Sequence, residues 1–410
     1  MSKELNIGLF GFGCVGEGLY EVLEQTTLIN ASIKRIVVKN IKQRSIAETN
    51  FSYDAADILE DTSIDTVVEL IDDADAAYDI VIDALRRGKN VVSANKKLIA
   101  NHLEELKNTA KENGASFLYE ASVCASIPII RTLEEYYNTD SIQAVEGICN
   151  GTTNYIFSQT DQGKSYEEAL SEAQKLGFAE SDPTLDVDGF DAKFKLCILI
   201  KHAFGLNVNP EEIFNYGIRH VKNEDVQYGK EKGYRLKLLS SVFRDGNKLT
   251  TLVAPQFVQE DHPTYNVHDS FNAVAVKGLF SDQQTLVGRG AGAHPTASAV
   301  LSDISALQYE YKYEYKKEAG VGDLLISDEK QILVYIGSVS SEALKEIRFD
   351  EIVEEYSGNG YHYKTGYISI TDLKSVDFNN RPDLFLALLP LPKENKLEAL
   401  DYEELTHILE

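Results

Sequence analysis

A short apolar run at residues 5–10 is followed at once by Gly11, Gly13 and Gly16, spaced GxGxxG, and then by a helical pattern over 15–24. This feature leaves few folds open. A strand that turns through glycines into a helix presents unpaired N–H groups and the positive end of the helix dipole to an anion. The first glycine makes the tight turn. The second lets the backbone approach a pyrophosphate, and the third lets helix and strand pack closely. Alone, the spacing also describes an ordinary glycine turn, so its context matters. Further apolar strands are expected at 33–38, 65–71, 90–93 and 115–119, with helical stretches between them, among them 76–87 and 103–113. Strands alternating with helices specify a parallel sheet covered on both faces. The expected fold is α/β, a Rossmann-like doubly wound sheet in residues 1–120. Gly11, Gly13, Cys14, Val15 and Gly16 are its candidate cofactor contacts.

The end of the second strand bears on which dinucleotide is bound. A carboxylate there accepts from a ribose 2′-hydroxyl and points to NAD, whereas cations pair with a 2′-phosphate. This strand ends Val37-Val38-Lys39-Asn40, Lys42 and Arg44 follow, and no carboxylate occurs before Glu48. NADP is therefore expected, with Lys39 as a contact. NAD stays possible, because the same lysines also suit a solvated loop.

Beyond residue 120 the pattern changes to α+β. Strands are expected at 142–148, 250–254, 273–276 and 284–287, and helices at 166–176 and 191–204. A polar turn is expected at 150–154 and an acidic loop at 178–189. Gly288, Gly290 and Gly292 precede Pro295, which suits the first turn of a helix over 296–307. The tyrosine-rich stretch 309–317, then Gly320 and Gly322, reads as a linker. A small C-terminal α+β unit over 320–410 follows, with strands at 332–336, 361–371 and 384–389 and helices at 345–356 and 397–409. The expected division is a dinucleotide-binding domain (1–120 and 295–310), a catalytic and dimerisation domain (121–294), and the C-terminal unit, which holds none of the candidate chemistry.

Charge and composition exclude several functions. The 410 residues hold 65 acids and 40 bases, a formal net charge of −25. A general nucleic-acid binder needs a basic face to displace counterions, and an anionic membrane repels such a chain. No apolar run reaches the ~18 residues of a membrane span, and the first residues lack a signal-peptide core, so a cytoplasmic protein is expected. The four cysteines form no CxxC pair and read as reduced thiols. The eight histidines form no HxH or HExxH, which argues against a zinc or iron site.

Two lysines stand out. The segment from Glu180 through Asp191 holds five carboxylates, in a spacing that does not match an EF-hand loop. Asp191 and Lys195 are four apart on one helix face, acid first. Phe194, Leu196, Cys197, Ile198, Leu199 and Ile200 surround that lysine with apolar neighbours. A lysine buried there must be paired or neutral, and either state suits catalysis. An ordinary surface ion pair is the plainer alternative. Lys96, in Ser93-Ala94-Asn95-Lys96-Lys97, follows a sheet strand at its carboxyl end, where open α/β sheets bind ligands.

Together these segments resemble homoserine dehydrogenase. The matching motifs are the glycine loop, Ser93-Ala94-Asn95-Lys96, Tyr119-Glu120-Ala121-Ser122-Val123 with Ile127-Pro128, and Asn150-Gly151-Thr152-Thr153-Asn154-Tyr155-Ile156. They continue with Gly177-Phe178-Ala179-Glu180-Ser181-Asp182-Pro183, then Asp186, Gly189, Asp191 and Lys195, and close with Gly290-Ala291-Gly292 and Pro295-Thr296-Ala297-Ser298-Ala299-Val300. The resemblance covers roughly residues 5–310. It implies NAD(P)-dependent interconversion of L-homoserine and L-aspartate 4-semialdehyde, on the route to threonine and methionine. It implies that Lys195 and Lys96 are the active-site lysines, that Glu180, Asp186 and Asp191 bind substrate, and that Gly151 and Thr152 form its loop. Ser93, Asn95 and Gly292 become further cofactor contacts. Backbone carbonyls of Glu120, Val123, Ala125 and Ile127 would hold a monovalent cation such as Na+, and two copies would pair through middle-region strands as a homodimer. The chain departs from the family in two places. Cys124-Ala125-Ser126 stands where small residues, mostly glycine, are usual, and Asp72-Asp73 where a glycine pair is usual. Many relatives carry an ACT domain at the C-terminus, and this tail has a suitable size and a β-α-β-β opening.

The expected chemistry needs a carbinol held against a nicotinamide and a group to take its proton. A lysine of lowered pKa can do this, or can polarise the carbonyl in reverse. The acidic cluster suits the ammonium of an amino-acid alcohol. Another Rossmann oxidoreductase of amino-acid metabolism would share these features. A nucleotide-sensing regulator would have no use for the two lysines.

Overall fold

The computed structural model describes residues 4–40, 51–358 and 360–391. Lys42, Arg44 and the helix expected over 397–409 lie outside them. The first sheet is built from β1 (Leu5–Phe10), β2 (Ala31–Val37), β3 (Phe51–Ser52), β4 (Thr66–Glu69), β5 (Asn90–Ser93) and β6 (Phe117–Leu118). All pairs are parallel, in the order β3-β2-β1-β4-β5-β6. The chain leaves β1 in one direction and resumes at β4 in the other. The carboxyl ends of β1 and β4 therefore open a crevice, the switch point where such sheets bind ligands. Val67, Val68, Val91 and Val92 are fully buried, because helices cover both faces.

Those helices are α1 (Cys14–Gln25), α2 (Ala56–Leu59), α3 (Ala74–Arg86) and α4 (Lys96–Glu112). The expected helix over 103–113 begins a full two turns earlier, because the Asn95 side chain caps it by accepting from the Leu98 N–H at 3.0 Å.

The middle region supplies α5 (Ile129–Glu135), β7 (Ile142–Ile148), α6 (Gly151–Asp161), α7 (Tyr166–Lys175), α8 (Thr184–Val187), α9 (Phe190–Phe204), β8 (Phe214–Asn215), α10 (Asn223–Lys232), β9 (Arg235–Asp245), β10 (Lys248–Val258), β11 (Phe271–Gly278) and β12 (Gln283–Arg289). Residues 150–154, expected as a polar turn, instead cap (Asn150) and start (151–154) α6, which is buried on nearly every side. Its hydroxyls bond back to its own carbonyls, Ser158 Oγ to Asn154 O at 2.8 Å and Thr160 Oγ1 to Phe157 O at 3.0 Å. A polar sequence can therefore be buried as a helix. Helix α11 (Ala293–Leu307) returns to the first sheet. A Cβ on Gly18 of α1 would lie 2.9 Å from the Ala293 carbonyl oxygen, so the two helices touch backbone to backbone.

The stretch 309–317, expected as a linker, is packed. Tyr313 is buried, and the Tyr315 hydroxyl lies 2.9 Å from that of Tyr119, which in turn meets His202 Nε2 at 2.8 Å. The C-terminal unit follows as β13 (Leu325–Ile326), β14 (Gln331–Ser338), α12 (Ser341–Lys345), β15 (Glu351–Gly358), β16 (Tyr361–Ser369), α13 (Ile370–Ser375) and β17 (Leu384–Leu388). The helix expected over 345–356 is corrected. It is a short helix and then an edge strand, because β-branched Ile352 and Val353 and the antiparallel partner β16 override the helix propensity of the glutamates. From β14 to β17 the chain runs β-α-β-β-α-β, with antiparallel strand order β17-β14-β16-β15, a split β-α-β arrangement. β17 pairs with β10, so one 11-stranded sheet runs through both regions.

Candidate active site

The nucleotide loop has the geometry its glycines require. Gly11 adopts φ +93°, and a Cβ there would meet the Leu70 carbonyl oxygen at 2.5 Å. A Cβ on Gly16 would meet Gly11 O at 2.5 Å, the close packing of turn on helix. At Gly13 it would meet nothing within 4 Å, and no side chain caps α1. Open space in front of uncapped helix N–H groups fits a pyrophosphate. Cys14 and Val15 form the first turn of that helix, and Lys39 lies exposed just past β2.

The loops after β4 and β5 are stitched together. Ser93 Oγ donates to Glu69 Oε2 at 2.5 Å, and Asn95 Nδ2 donates to Ile71 O at 3.1 Å. Glu69 Oε1 accepts from the Ile71 N–H at 2.7 Å. Burial pushes the Glu69 pKa up to about 7, against the pull of those two hydrogen bonds. Between the ordinary value of 4.5 and about 7 the folded state alone holds this proton. Stability therefore falls as pH rises through that window, by on the order of 3 kcal/mol, and is then level. Glu69→Gln removes the ionisation, so its thermal midpoint relative to the parent should rise from pH 5 to pH 8. A pH-independent difference would sink this account. Asp73, one of the two acids in place of the glycine pair, caps α3 by accepting from the Asp75 and Ala76 N–H groups. Asp72 lines a cavity that it shares with Val15, Lys96 and Lys195.

The two lysines meet at one carboxylate. Asp191, fully enclosed in the first turn of α9, accepts from Lys195 Nζ at Oδ2, 2.7 Å, and pairs with Lys96 Nζ at Oδ1, 2.9 Å. Lys195 also donates to the Cys149 carbonyl at 2.8 Å. Burial opposes both charges, but each outweighs it for the other: Asp191 is held below the usual carboxylate range and Lys195 above the usual lysine range. The sequence left Lys195 paired or neutral, and its lowered pKa is corrected here: it is an ammonium, held so by Asp191. Lys96 is partly exposed at the start of α4. Asp186 is partly buried, and burial and then the Asp191 charge raise its pKa. Thr152 Oγ1 donates to Phe178 O at 2.6 Å, which ties α6 to the acidic loop. Gly151 approaches Ser270 so closely that a Cβ would lie 2.8 Å from its carbonyl oxygen. Glu180 is exposed on that loop.

A cavity of about 690 Å3 joins these pieces. Its lining runs from Val15 and Gly292 past Lys96 to Glu180, Asp186, Asp191 and Lys195. A larger cavity, about 810 Å3, lies under the tyrosine-rich segment beside Lys107, Glu134 and Tyr313 and contains none of these groups. The chemistry selects the smaller one. Gly292, with φ +120°, precedes α11 at its rim.

The candidate cation loop keeps a glycine-like backbone without glycine. Cys124 and Ala125 have φ 55° and 43°. The Glu120 carbonyl accepts from Val123 N–H at 3.3 Å, and that of Ile127 from Ile129 N–H at 2.8 Å. An L-residue in the left-handed region costs roughly 1 kcal/mol. Ala125→Gly should therefore raise the thermal midpoint slightly, and a lowered midpoint would show the conformation to be unstrained.

The sequence missed Asn150, whose side chain reaches both Asp186 and Asp191, and Glu69 behind Ser93. Asn150 lay in a motif but in an expected turn, and Glu69 lay within the strand expected over 65–71.

The chain matches the family described as Homoserine dehydrogenase over residues 128–305, and that described as Homoserine dehydrogenase, NAD binding domain over residues 11–120. It is 40% identical over 316 residues to the homoserine dehydrogenase of Bacillus subtilis, covering 74% of this chain and 73% of that one. The structure of a homoserine dehydrogenase from Thiobacillus denitrificans superposes with TM-score 0.82 at 29% identity, over 95% of this chain and 98% of its own. A hyperthermophilic archaeal homoserine dehydrogenase in complex with NADPH superposes with TM-score 0.65 at 27% identity, over 76% of this chain and 99% of its own. A glycine loop, a lysine pair on one buried carboxylate and these likenesses agree, and the chain belongs to the homoserine dehydrogenase family.

Proposed function

We propose that the chain interconverts L-homoserine and L-aspartate 4-semialdehyde with Lys195 moving the proton and NADP as the preferred cofactor. The observation that carries this reading is Asp191 held between Lys195 and Lys96, in a cavity that begins at the nucleotide loop. The nicotinamide, when bound, accepts hydride from the carbinol carbon or returns it to the aldehyde. The residues do the rest. In reduction, Lys195 as an ammonium polarises the aldehyde oxygen and gives it a proton. In oxidation it must first lose that proton, so oxidation should quicken with rising pH. Glu180 and Asp186 suit the substrate ammonium, Lys96 its carboxylate, and Gly151 and Thr152 the wall between. Gly11, Gly13, Cys14, Val15, Gly16, Ser93, Asn95 and Gly292 suit the dinucleotide, and exposed Lys39 suits a 2′-phosphate.

Residues 1–120 with 295–310 serve as the dinucleotide-binding domain, 121–294 as the catalytic and dimerisation domain, and 320–410 as an ACT-like unit. Exposed edge strand β12 suits pairing of two copies as a homodimer. Carbonyls of Glu120, Val123, Ala125 and Ile127 suit a monovalent cation such as Na+. No helix among the described residues is long and apolar enough to cross a membrane, and a cytoplasmic site fits the cysteine usage. The test mixes the protein with homoserine and NADP or NAD and follows reduced cofactor by absorbance. No reduction with either removes the substrate, and a higher kcat/KM with NAD removes the NADP preference.

A further inference from the structure

Asn150 precedes α6 and is 4% exposed. Its side chain touches three elements. Oδ1 accepts from the Thr153 N–H at 2.9 Å and caps α6. Nδ2 donates to Asp186 Oδ1 at 2.7 Å in α8 and to Asp191 Oδ2 at 2.9 Å in α9. Both amide hydrogens are spent on carboxylates. Serine or threonine would cap the helix equally well. Neither carries two donors together with a separate acceptor. The bridge, rather than the cap, requires asparagine here.

We propose that Asn150 is a positioning residue that holds Asp186 and Asp191 side by side as carboxylates, leaving Asp186 to take the substrate ammonium while Asp191 keeps its lysines. The assignment rests on the amino-alcohol substrate proposed above. Asp186 faces Asp191 and Lys195 from α9 and Lys96 from α4. Burial and the Asp191 charge favour its protonation, and the Asn150 hydrogen bond opposes it more than either lysine does. Without that bond Asp186 binds its proton more tightly and swings free of its place. A protonated or displaced Asp186 no longer attracts an ammonium. Asp191 keeps two lysine partners, so the reacting end is less affected.

Asn150→Ser tests this, because it keeps a cap and removes the bridge. The expected result is a KM for homoserine raised ~10-fold or more, with the cofactor KM nearly unchanged. The acid limb of kcat/KM for homoserine should move to higher pH. Asn150→Asp, which keeps the cap and adds an acceptor, should not restore the parent values. A serine variant with parent KM and acid limb overturns the assignment. A loss confined to kcat overturns it too, since the effect would then run through Lys195. Parent enzyme that oxidises homoserine while the variant is unchanged sinks only this inference. Parent enzyme that does not oxidise it sinks the substrate reading and this assignment with it.

Discussion

Lys195→Ala is expected to lower turnover by ~100-fold or more while cofactor binding survives. Lys195 Nζ contacts the Asp191 carboxylate and the Cys149 carbonyl, and it lines the cavity. The nucleotide loop is formed by other elements, so the dinucleotide should still titrate in. The fold should also tolerate the change better than most losses of a buried ion. Asp191 keeps Lys96 at 2.9 Å and the Asn150 amide at 2.9 Å, so it is not left as an unpaired buried charge. Lys195→Arg should not rescue activity, because a planar guanidinium cannot place one proton where the ammonium does. Turnover near the parent value in the alanine variant would refute the role of Lys195, whatever the substrate.

How much of this was legible in the sequence depends on the range of the cause. The glycine loop and the strands Asn90–Ser93 and Ile142–Ile148 are set by residues within a few positions, and they fall where the pattern puts them. The pairing of Asp191 with Lys195 is a local helix spacing and was readable. The pairing of Asp191 with Lys96 spans the chain, and only the resemblance brought those lysines together beforehand. Asn150 acts on residues 36 and 41 positions away, which no periodicity reports. The edge strand Glu351–Gly358 was misread because its glutamates favour a helix when isolated, while its partner strand decides otherwise. Tyr313 and Tyr315 looked like linker residues because aromatic residues among charges give no sign of the buried pocket, built by Tyr119 and His202, that receives them.

Ending the chain near residue 318 should leave an enzyme with measurable turnover and a much lower thermal midpoint. The proposed site residues all precede Leu307, and the archaeal relative superposes along 99% of its own length while covering only 76% of this chain. The cost arises elsewhere. Leu384, Phe385, Leu386 and Ala387 in β17 are buried, and their strand pairs with β10. Asp225 of α10 is fully buried, where Tyr335 donates to it at 2.9 Å and Tyr361 donates to it as well. Burial, opposed by those bonds, raises its pKa to about 7. Truncation removes both phenols and uncovers the Phe257 ring that packs edge-on against Tyr335. Lost burial of several large apolar side chains costs several kcal/mol, hence roughly 10 °C or more in midpoint. Calorimetry and a homoserine oxidation assay at low temperature read the two effects separately. A truncated protein that keeps the parent midpoint would show the shared sheet to be energetically idle. One that folds and binds cofactor yet turns over nothing would show that the C-terminal unit completes the active site.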